Sequence, residues 1–158
     1  MKKIAKFEKV SLNQYLLDGT KEDYENIILP RRATSGSAGY DFFSPIPFTL
    51  NPGETIKVPT GIRAKIEDGW VLKIYPRSSL GFKYRLTLNN TVGIIDSDYY
   101  FAENEGHIFI KITNCGKKVL EIEKGKAFAQ GIFLEYGITY DDEATASRTG
   151  GMGSTDKK

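Results

Sequence analysis

Apolar and polar residues alternate with a period of two along much of the chain from Phe48 onward. The alternation is clearest at Ile56 and Val58, over residues 62–66 and over residues 108–112. Because successive side chains of a strand point to opposite faces of a sheet, this period predicts half-buried β-strands. Turn-forming clusters separate the runs, at Asn51-Pro52-Gly53, Glu67-Asp68-Gly69, Asn114-Cys115-Gly116 and Lys124-Gly125. The pattern predicts a sandwich or barrel of short antiparallel strands, and Pro59 within a run predicts an edge or a bulge.

Helical patterns are few and short. Ser11 and Gln14 have the spacing of a capping box at the start of a helical pattern, which predicts a short helix in the first 28 residues. Residues 23–28 predict a further turn, and residues 78–85 form the one helical pattern between strands. We expect a mainly β fold with one or two short helices.

The alternation ends at Tyr140. There follow an acidic run at residues 141–143 and a glycine-rich segment at residues 148–155. These segments contain few apolar side chains that could pack into a core. We therefore expect a mobile C-terminal tail over residues 141–158. No repeat or linker divides the chain, so we predict a single domain over residues 1–158, with an N-terminal extension at residues 1–28.

Composition narrows the function classes. The 158 residues, 40% of them hydrophobic, are enough to form one hydrophobic core. The 22 basic and 20 acidic residues nearly balance, so the net charge does not predict a nucleic-acid partner. Cys115 has no second cysteine to pair with, and His107 alone cannot form a His-rich zinc site. No apolar run approaches the roughly 20 residues that a membrane span needs. We expect a soluble, cytoplasmic protein that binds no membrane.

Three segments carry residues suited to nucleotide chemistry, and each has an ordinary alternative. The tail from Arg148 to Thr155 combines glycines, an arginine and hydroxyls, as a phosphate cradle would, but it could equally be a disordered tail. Pro76-Arg77-Ser78-Ser79 follows a strand and could bind an anion or simply cap a helix. Asp96 follows an apolar Gly-Ile-Ile run, which could deliver a carboxylate that deprotonates water or place it in a hairpin turn.

Two weaker segments, Ala38-Gly39-Tyr40-Asp41 and Ala129-Gln130, complete an ordered set. In order and spacing, the five segments resemble the five motifs of the trimeric deoxyuridine triphosphate nucleotidohydrolase (dUTPase) family. The third motif spans Gly93 to Tyr99, and the resemblance covers residues 29–155. It implies a jelly-roll-like antiparallel β fold. It also implies a homotrimer with active sites shared between subunits, and Mg²⁺-dependent hydrolysis of dUTP to dUMP and pyrophosphate. Such an activity limits uracil incorporation into DNA and supplies dUMP for dTMP synthesis.

The resemblance also implies roles for individual residues. Asp96 would be the general base that activates a water for attack on the α-phosphate, and Arg148 would act on the γ-phosphate as an arginine finger. Tyr99 would pack against the deoxyribose, and Asp41 would support the phosphate network through Arg77. The remaining substrate contacts would come from Arg77, Ser78, Ser79, Asn90, Gly93, Ile94, Ile95, Gln130, Met152, Gly153, Ser154 and Thr155. Mg²⁺ would be held by substrate phosphates and waters, with no direct protein ligand. Because the site would be shared, we also expect the tail and Asp96 to come from different subunits.

The sequence departs from the family pattern in several places. Met152 stands where the family usually has Phe, and Asp156 where Gly is usual. Residues 100–106 read as an inserted loop after Tyr99. These departures leave a non-enzymatic β-sandwich that binds a protein partner and keeps a decayed nucleotide site as an alternative. A dCTP deaminase-like relative, which shares the general fold, is the alternative enzyme. We expect His107 to cap this loop or point to solvent, and Trp70 to pack between strands.

Overall fold

Short antiparallel strands dominate the structure, as the two-residue period predicts. The computed structural model describes residues 1–152. Its strands are β1 (Ala5–Lys9), β2 (Arg31–Arg32), β3 (Tyr40–Phe43), β4 (Phe48–Leu50), β5 (Thr55–Pro59), β6 (Ile62–Ile66), β7 (Trp70–Pro76), β8 (Leu86–Leu88), β9 (Gly93–Ile95), β10 (Phe109–Asn114), β11 (Leu120–Ile122) and β12 (Ala127–Glu135). Three α-helices, α1 (Leu12–Tyr15), α2 (Lys21–Glu25) and α3 (Ser78–Tyr84), and a 3-10 helix at Ser97–Phe101 complete the described elements. The mainly β prediction is confirmed.

Two sheets position the site. The larger has the strand order β2-β3-β12-β7-β9, and the second has the order β5-β10-β8. Among residues 1–152, β9 pairs only with β7 and β5 only with β10, so both are edge strands of the described sheets. Pro59 ends β5, which confirms the expected edge position because an edge strand tolerates a missing backbone donor. Two smaller pairs, β1-β6 and β11-β4, extend the fold.

The core lies between these sheets. Its fully buried side chains include Phe42, Leu72, Ile74, Leu86, Ile108, Ile110, Ile112 and Phe128. Ile108, Ile110 and Ile112 belong to the predicted alternating run, in which Lys111 is exposed. Trp70 is partly buried and packs against this core, which confirms its predicted packing role.

The helices begin where capping residues stand. Ser11 Oγ accepts a hydrogen bond from Gln14 N at 3.2 Å, which confirms the helix start read from the sequence. Helix α2 begins earlier than the predicted turn over residues 23–28, because Thr20 Oγ1 caps it by accepting from Asp23 N. Helix α3 matches the predicted residues to within one position. None of the described helices is long and apolar enough to cross a membrane.

The N-terminal extension is part of the fold. Its first strand, β1, pairs along its whole length with β6, and its Phe7 packs against the rings of Tyr40, Phe42 and Phe133. Tyr15 in α1 is fully buried. The sequence did not predict β1, because Phe7 is the only large apolar residue in it and the pairing partner lies more than 50 residues away.

Candidate active site

The turn between β8 and β9, where Leu88 and Thr91 form an antiparallel bridge, builds one wall of a pocket of about 380 Å³, which we call the hairpin pocket. The hairpin turns at Asn89 and Asn90, and Thr91 takes a positive φ of 68°. Because β9 is an edge strand, one side of its backbone has no strand partner and can offer N–H and C=O groups to a ligand. The pocket is lined by Lys57, Ile74, Leu88, Asn89, Asn90, Gly93, Ile94, Ile95, Asp96, Tyr99, Phe109, Lys111, Arg148 and Met152.

Asp96 lies at the rim of the hairpin pocket, where β9 ends and the 3-10 helix begins. Its side chain is half exposed, and its Oδ2 lies 2.9 Å from Arg148 Nη2. Asp98 Oδ1 lies 2.9 Å from Arg148 Nε. The guanidinium thus bridges two carboxylates, and with 12% of its side chain exposed it is largely shielded from water. The strand end therefore presents two carboxylates to one arginine of the tail.

Tyr99 forms the inner part of the same rim. It is 4% exposed, and its Oη donates a hydrogen bond to the His107 carbonyl at 2.6 Å and accepts one from Asn104 Nδ2 at 2.9 Å. Burial raises the pKa of Tyr99, so the hydroxyl stays a donor at neutral pH. The Arg148 guanidinium lies 5.8 Å from the ring centroid. Two hydrogen bonds thus hold the Tyr99 hydroxyl, and the Arg148 guanidinium lies near its ring.

A second cluster, which we call the arginine groove, forms around the end of β7 and the start of α3. It is lined by Tyr75, Pro76, Arg77, Ser78, Gly81, Phe82, Gln130 and Ile132. Arg77 Nε pairs with Asp41 Oδ1 at 3.2 Å, and Gln130 Nε2 donates to the Pro76 carbonyl at 3.1 Å. A Cβ on Gly39 would lie 2.5 Å from Gln130 Oε1, so glycine at that position lets the Gln130 side chain pass. Ser79 stands in the first turn of the same helix.

The two clusters occupy opposite faces of β7. Ile74 lines the hairpin pocket, whereas its neighbour Tyr75 lines the arginine groove, and adjacent strand residues point to opposite faces. The structure therefore brings most of the predicted residues together in two groups within one chain: Asn90, Gly93, Ile94, Ile95, Asp96, Tyr99, Arg148 and Met152 in one, and Asp41, Arg77, Ser78 and Gln130 in the other. Ser79 is exposed on α3, next to Ser78. Gly153, Ser154 and Thr155 lie outside the described residues, as does Asp156.

Comparison with known proteins shows which family the chain belongs to. The model of the dUTPase family matches residues 25–156. The chain belongs to the dUTPase family. It is 42% identical over 139 residues to the deoxyuridine 5'-triphosphate nucleotidohydrolase of Lactococcus lactis, a match that covers 86% of this chain and 93% of the relative. The corresponding protein of Paraburkholderia xenovorans is 37% identical over 156 residues, covering 94% of this chain and 99% of the relative.

Solved structures agree with this dUTPase assignment. The crystal structure of dUTPase from Streptococcus mutans is 36% identical, has a TM-score of 0.67, and covers 84% of this chain and 97% of its own. A dUTPase from phage phi11 of Staphylococcus aureus has the same fold at 19% identity, with a TM-score of 0.67 over 91% of this chain and 98% of its own. The resemblance read from the five motifs is confirmed.

Lys57, Phe109 and Lys111 are among the residues lining the hairpin pocket that sequence reasoning missed. Lys57 and Lys111 stand directly opposite each other on β5 and β10, and Lys57 Nζ lies 4.8 Å from the Phe109 ring centroid. Two like charges directly opposite each other on a sheet repel each other and destabilise the pairing. The alternation over both strands could have placed the two lysines on one face, but only the register shows that they are neighbours.

His107 does not point to solvent, contrary to the sequence expectation. It is fully buried, and its Nε2 accepts a hydrogen bond from Gly61 N at 2.9 Å. Helix α1 and the turn after it cover His107, since the Tyr15 ring lies 6.0 Å away and Asp18 Oδ2 lies 3.9 Å from its Nδ1. Burial lowers the pKa of His107 to about 4, although Asp18 and Glu105 oppose this shift. The histidine supports the base of the inserted loop from inside.

We expect His107 to make folding stability depend on pH. Its folded pKa of about 4 lies below the ordinary 6.5, so the unfolded chain binds the proton first and stability falls as the pH drops from about 6.5 to about 4. The loss attributable to this group reaches about 3 kcal/mol. Urea unfolding of the wild type and of His107→Gln, at fixed protein concentration across this pH range, isolates the effect because carboxylates titrate in both. An equal pH dependence in the two proteins would contradict the assignment.

Proposed function

We propose that this chain is a dUTP diphosphatase that hydrolyses dUTP to dUMP and pyrophosphate, with Asp96 as the general base. The observation that carries the proposal is the carboxylate of Asp96 at the mouth of the hairpin pocket, facing Arg148 at 2.9 Å. A carboxylate can orient and deprotonate a water molecule that lies within hydrogen-bond distance of it. When phosphates bind, they compete for the arginine and release Asp96 to that water.

The hairpin pocket supports recognition of a deoxyuridine. The free edge of β9, with Asn90 at the turn, offers backbone groups to the uracil edge. A tight floor against the base would exclude the methyl group of thymine and leave the amino group of cytosine unpaired, which is the costlier mismatch. The buried ring of Tyr99 would lie against the deoxyribose and leave no room for a 2′-hydroxyl. Met152 lines the pocket and would cover the base less rigidly than a ring.

The arginine groove supports phosphate binding. Arg77 and Ser78 both line this groove, and Asp41 Oδ1 lies 3.2 Å from Arg77 Nε. An arginine held on one side by a carboxylate keeps its remaining N–H groups free and aimed, which favours bidentate contact with phosphate. We expect Ser79 and Gln130 to add donors to this cluster.

Mg²⁺ fits this donor set as a companion of the substrate. The described residues contain no group of three or more His, Cys, Asp or Glu side chains that could hold a metal ion. Mg²⁺ usually keeps several waters and binds through substrate phosphates, which suits a site with arginines and a few carboxylates. A phage phi11 dUTPase structure is described as coordinating a structural Mg(II) ion. The ion would neutralise phosphate charge, while Asp96 and Asp41 would accept hydrogen bonds from its waters.

We also propose a homotrimer whose sites combine the hairpin pocket of one subunit with the arginine groove of another. The separation of the two clusters on opposite faces of β7 supports this, because one dUTP cannot contact both through the strand. A closed rotational assembly brings different patches of neighbouring copies together at each interface.

Mixing inactive variants tests this shared site. Asp96→Asn and Arg77→Ala chains, each inactive alone, should regain activity when mixed, since some sites then pair an intact Asp96 with an intact Arg77. Random assembly of equal amounts predicts about a quarter of wild-type sites. Pyrophosphate release after subunit exchange is the measurement. An absence of recovery, with exchange demonstrated by mass spectrometry of tagged chains, would contradict the shared site.

The activity itself is tested by pyrophosphate release from dUTP with Mg²⁺. A dCTP deaminase-like relative would instead release ammonia from dCTP, so the two assays run side by side separate the alternatives. We expect pyrophosphate from dUTP and no ammonia from dCTP. Ammonia release without pyrophosphate would overturn the proposal, and nucleotide binding without either product would favour the non-enzymatic alternative.

A further inference from the structure

Two hydrogen bonds hold the hydroxyl of the pocket tyrosine. Tyr99 Oη donates to the His107 carbonyl at 2.6 Å and accepts from Asn104 Nδ2 at 2.9 Å. Because a carbonyl can only accept, the phenol proton points to His107, and an oxygen lone pair is left for the amide of Asn104. The backbone N of Tyr99 donates to the Asp96 carbonyl at 3.2 Å. The ring is therefore fixed at its backbone and at the far end of its side chain.

A turn within the loop at residues 100–106 orients the Asn104 amide. Asn104 Oδ1 accepts from Gly106 N at 3.1 Å, in a side-chain-to-backbone turn that asparagine commonly forms with the N–H two residues on. Since a backbone N–H can only donate, the atom that faces Gly106 is the amide oxygen, and the NH2 group faces Tyr99. The Asn104 carbonyl accepts from His107 N at 3.1 Å. The turn thus aims one N–H of Asn104 at the phenol oxygen.

The backbone of this loop has little room to move. Gly106 takes a φ of 72°, and an added Cβ there would lie 2.7 Å from the Tyr99 carbonyl oxygen. Ser11 donates to both carboxylate oxygens of Glu105, from its N at 2.8 Å and from its Oγ at 2.6 Å. Ser11 belongs to the N-terminal extension, before residue 25, where the family match begins. Residues outside the five motifs therefore hold the hydrogen-bond partner of the motif tyrosine.

We propose that Asn104 is a positioning residue that sets the preference for deoxyribose over ribose by fixing the ring of Tyr99. The inference rests on the proposed function, in which this ring lies against the sugar and leaves no room for a 2′-hydroxyl. A ribonucleotide can then enter only if the ring moves away, which stretches the hydrogen bonds of its hydroxyl. Those hydrogen bonds therefore add to the energy by which a ribonucleotide is rejected, whereas a deoxyribonucleotide leaves them intact.

The burial of Tyr99 gives these hydrogen bonds their weight. The residue is 4% exposed, so a displaced hydroxyl would lose a partner that water cannot readily replace. The expected contribution of Asn104 to sugar discrimination is that of one hydrogen bond, about fivefold in the ratio of the two kcat/KM values.

Asn104→Ser removes the donor and keeps the turn. A serine hydroxyl can accept from Gly106 N as the asparagine oxygen does, although more weakly, but serine has no amide NH2 group to reach Tyr99. We expect kcat/KM for UTP to rise about fivefold in this variant, while kcat/KM for dUTP stays within about twofold. Glu103→Ala is the matched control, because Glu103 is exposed on the same loop and its side chain is not a partner of the Tyr99 hydroxyl. It should leave both values within about twofold.

Tyr99→Phe shows whether Asn104 acts through the hydroxyl. Phenylalanine keeps the ring but has no atom that can accept from Asn104 Nδ2. In this background, Asn104→Ser should change the ratio of kcat/KM for dUTP to that for UTP by less than about twofold, because the two substitutions remove the same hydrogen bond. A change of about fivefold in both backgrounds would show that Asn104 acts through the loop as a whole, and it would overturn the positioning role.

Carbon NMR of the Tyr99 ring reads the hydrogen bond without nucleotide or turnover. In protein labelled with ¹³C at the tyrosine Cζ, the carbon that bears the hydroxyl, the Tyr99 signal is assigned by its loss in Tyr99→Phe. At neutral pH it should shift in Asn104→Ser and stay in place in Glu103→Ala. An unchanged signal in Asn104→Ser would contradict the hydrogen bond and overturn the inference.

Pyrophosphate release from dUTP and from UTP with Mg²⁺, measured for the wild type and each variant, completes the test. A wild-type preference for dUTP that falls about fivefold in Asn104→Ser alone supports the positioning role. A preference that Asn104→Ser leaves unchanged would overturn the role of Asn104 and leave the proposed function standing. Equal release from the two nucleotides by the wild type would overturn the proposed function, and this inference with it.

Discussion

Asp96→Asn should lower kcat for dUTP by at least about 10³-fold, within the range that general base catalysis contributes, while the Kd for dUTP stays within about threefold. Asparagine keeps the shape of the side chain and can still accept a hydrogen bond from Arg148, but it cannot take a proton from water. Stopped-time pyrophosphate release gives kcat, and calorimetric titration with a non-hydrolysable dUTP analogue gives Kd.

Asp98→Asn is the matched control for this variant. Both carboxylates contact Arg148 at 2.9 Å and both are about half exposed, so each substitution removes one charge beside the same guanidinium. Only Asp96 lines the hairpin pocket. We expect Asp98→Asn to keep kcat within about tenfold of wild type, as for a surface ion pair of small energy. Equal losses in the two variants would show that the loss comes from the Arg148 contacts and not from a base.

Arg148→Ala should lower kcat/KM by about 10³-fold, the lower end of the effect of an arginine finger in phosphoryl transfer. Arg148→Lys should recover only part of this, because an ammonium keeps the charge but lacks the planar fork that bridges two oxygens. The structure supports this expectation, because Arg148 Nε and Nη2 contact the carboxylates of two different residues, which a single ammonium could not do with the same geometry.

Arg31→Ala controls for the loss of a positive charge elsewhere. Arg31 is exposed, and its guanidinium lies 5.3 Å from the Phe43 ring centroid, away from the hairpin pocket lining. Its removal should leave kcat/KM within about twofold. A wild-type kcat/KM in Arg148→Ala would contradict a role for the tail arginine in turnover.

Motif order in the sequence singled out Asp96, Tyr99, Arg77 and Gln130 as predicted site residues, because their types suit the chemistry and their spacing can be read along the chain. It did not predict how these residues are grouped in space. The division into a hairpin pocket and an arginine groove follows from the register of β7 with β9 and β12, which pairs residues far apart in sequence. Period-two alternation predicts faces but not partners.

Tertiary contacts explain the misses. His107 looked like a loop residue because the covering groups, Tyr15 in α1 and Asp18 in the turn after it, lie about 90 residues earlier. Strand β1 had too few apolar residues for a strand prediction, yet β6 offered it an open edge. Lys57 and Lys111 lie on separate strands, and the sequence does not show that they are adjacent. Only the register of β5 with β10 shows that they are direct cross-strand neighbours. In each case, the decisive partner was distant in sequence.

The measurement that tests the central claim most directly is hydrolysis of dUTP, dCTP, dTTP and UTP with Mg²⁺ in ¹⁸O-labelled water. The account predicts pyrophosphate release from dUTP at least about 10²-fold faster than from the other three, with the label in dUMP, because the water held by Asp96 attacks the α-phosphorus. Label in pyrophosphate would contradict attack at that atom. Equal release from all four nucleotides, or none from dUTP, would contradict the proposed function.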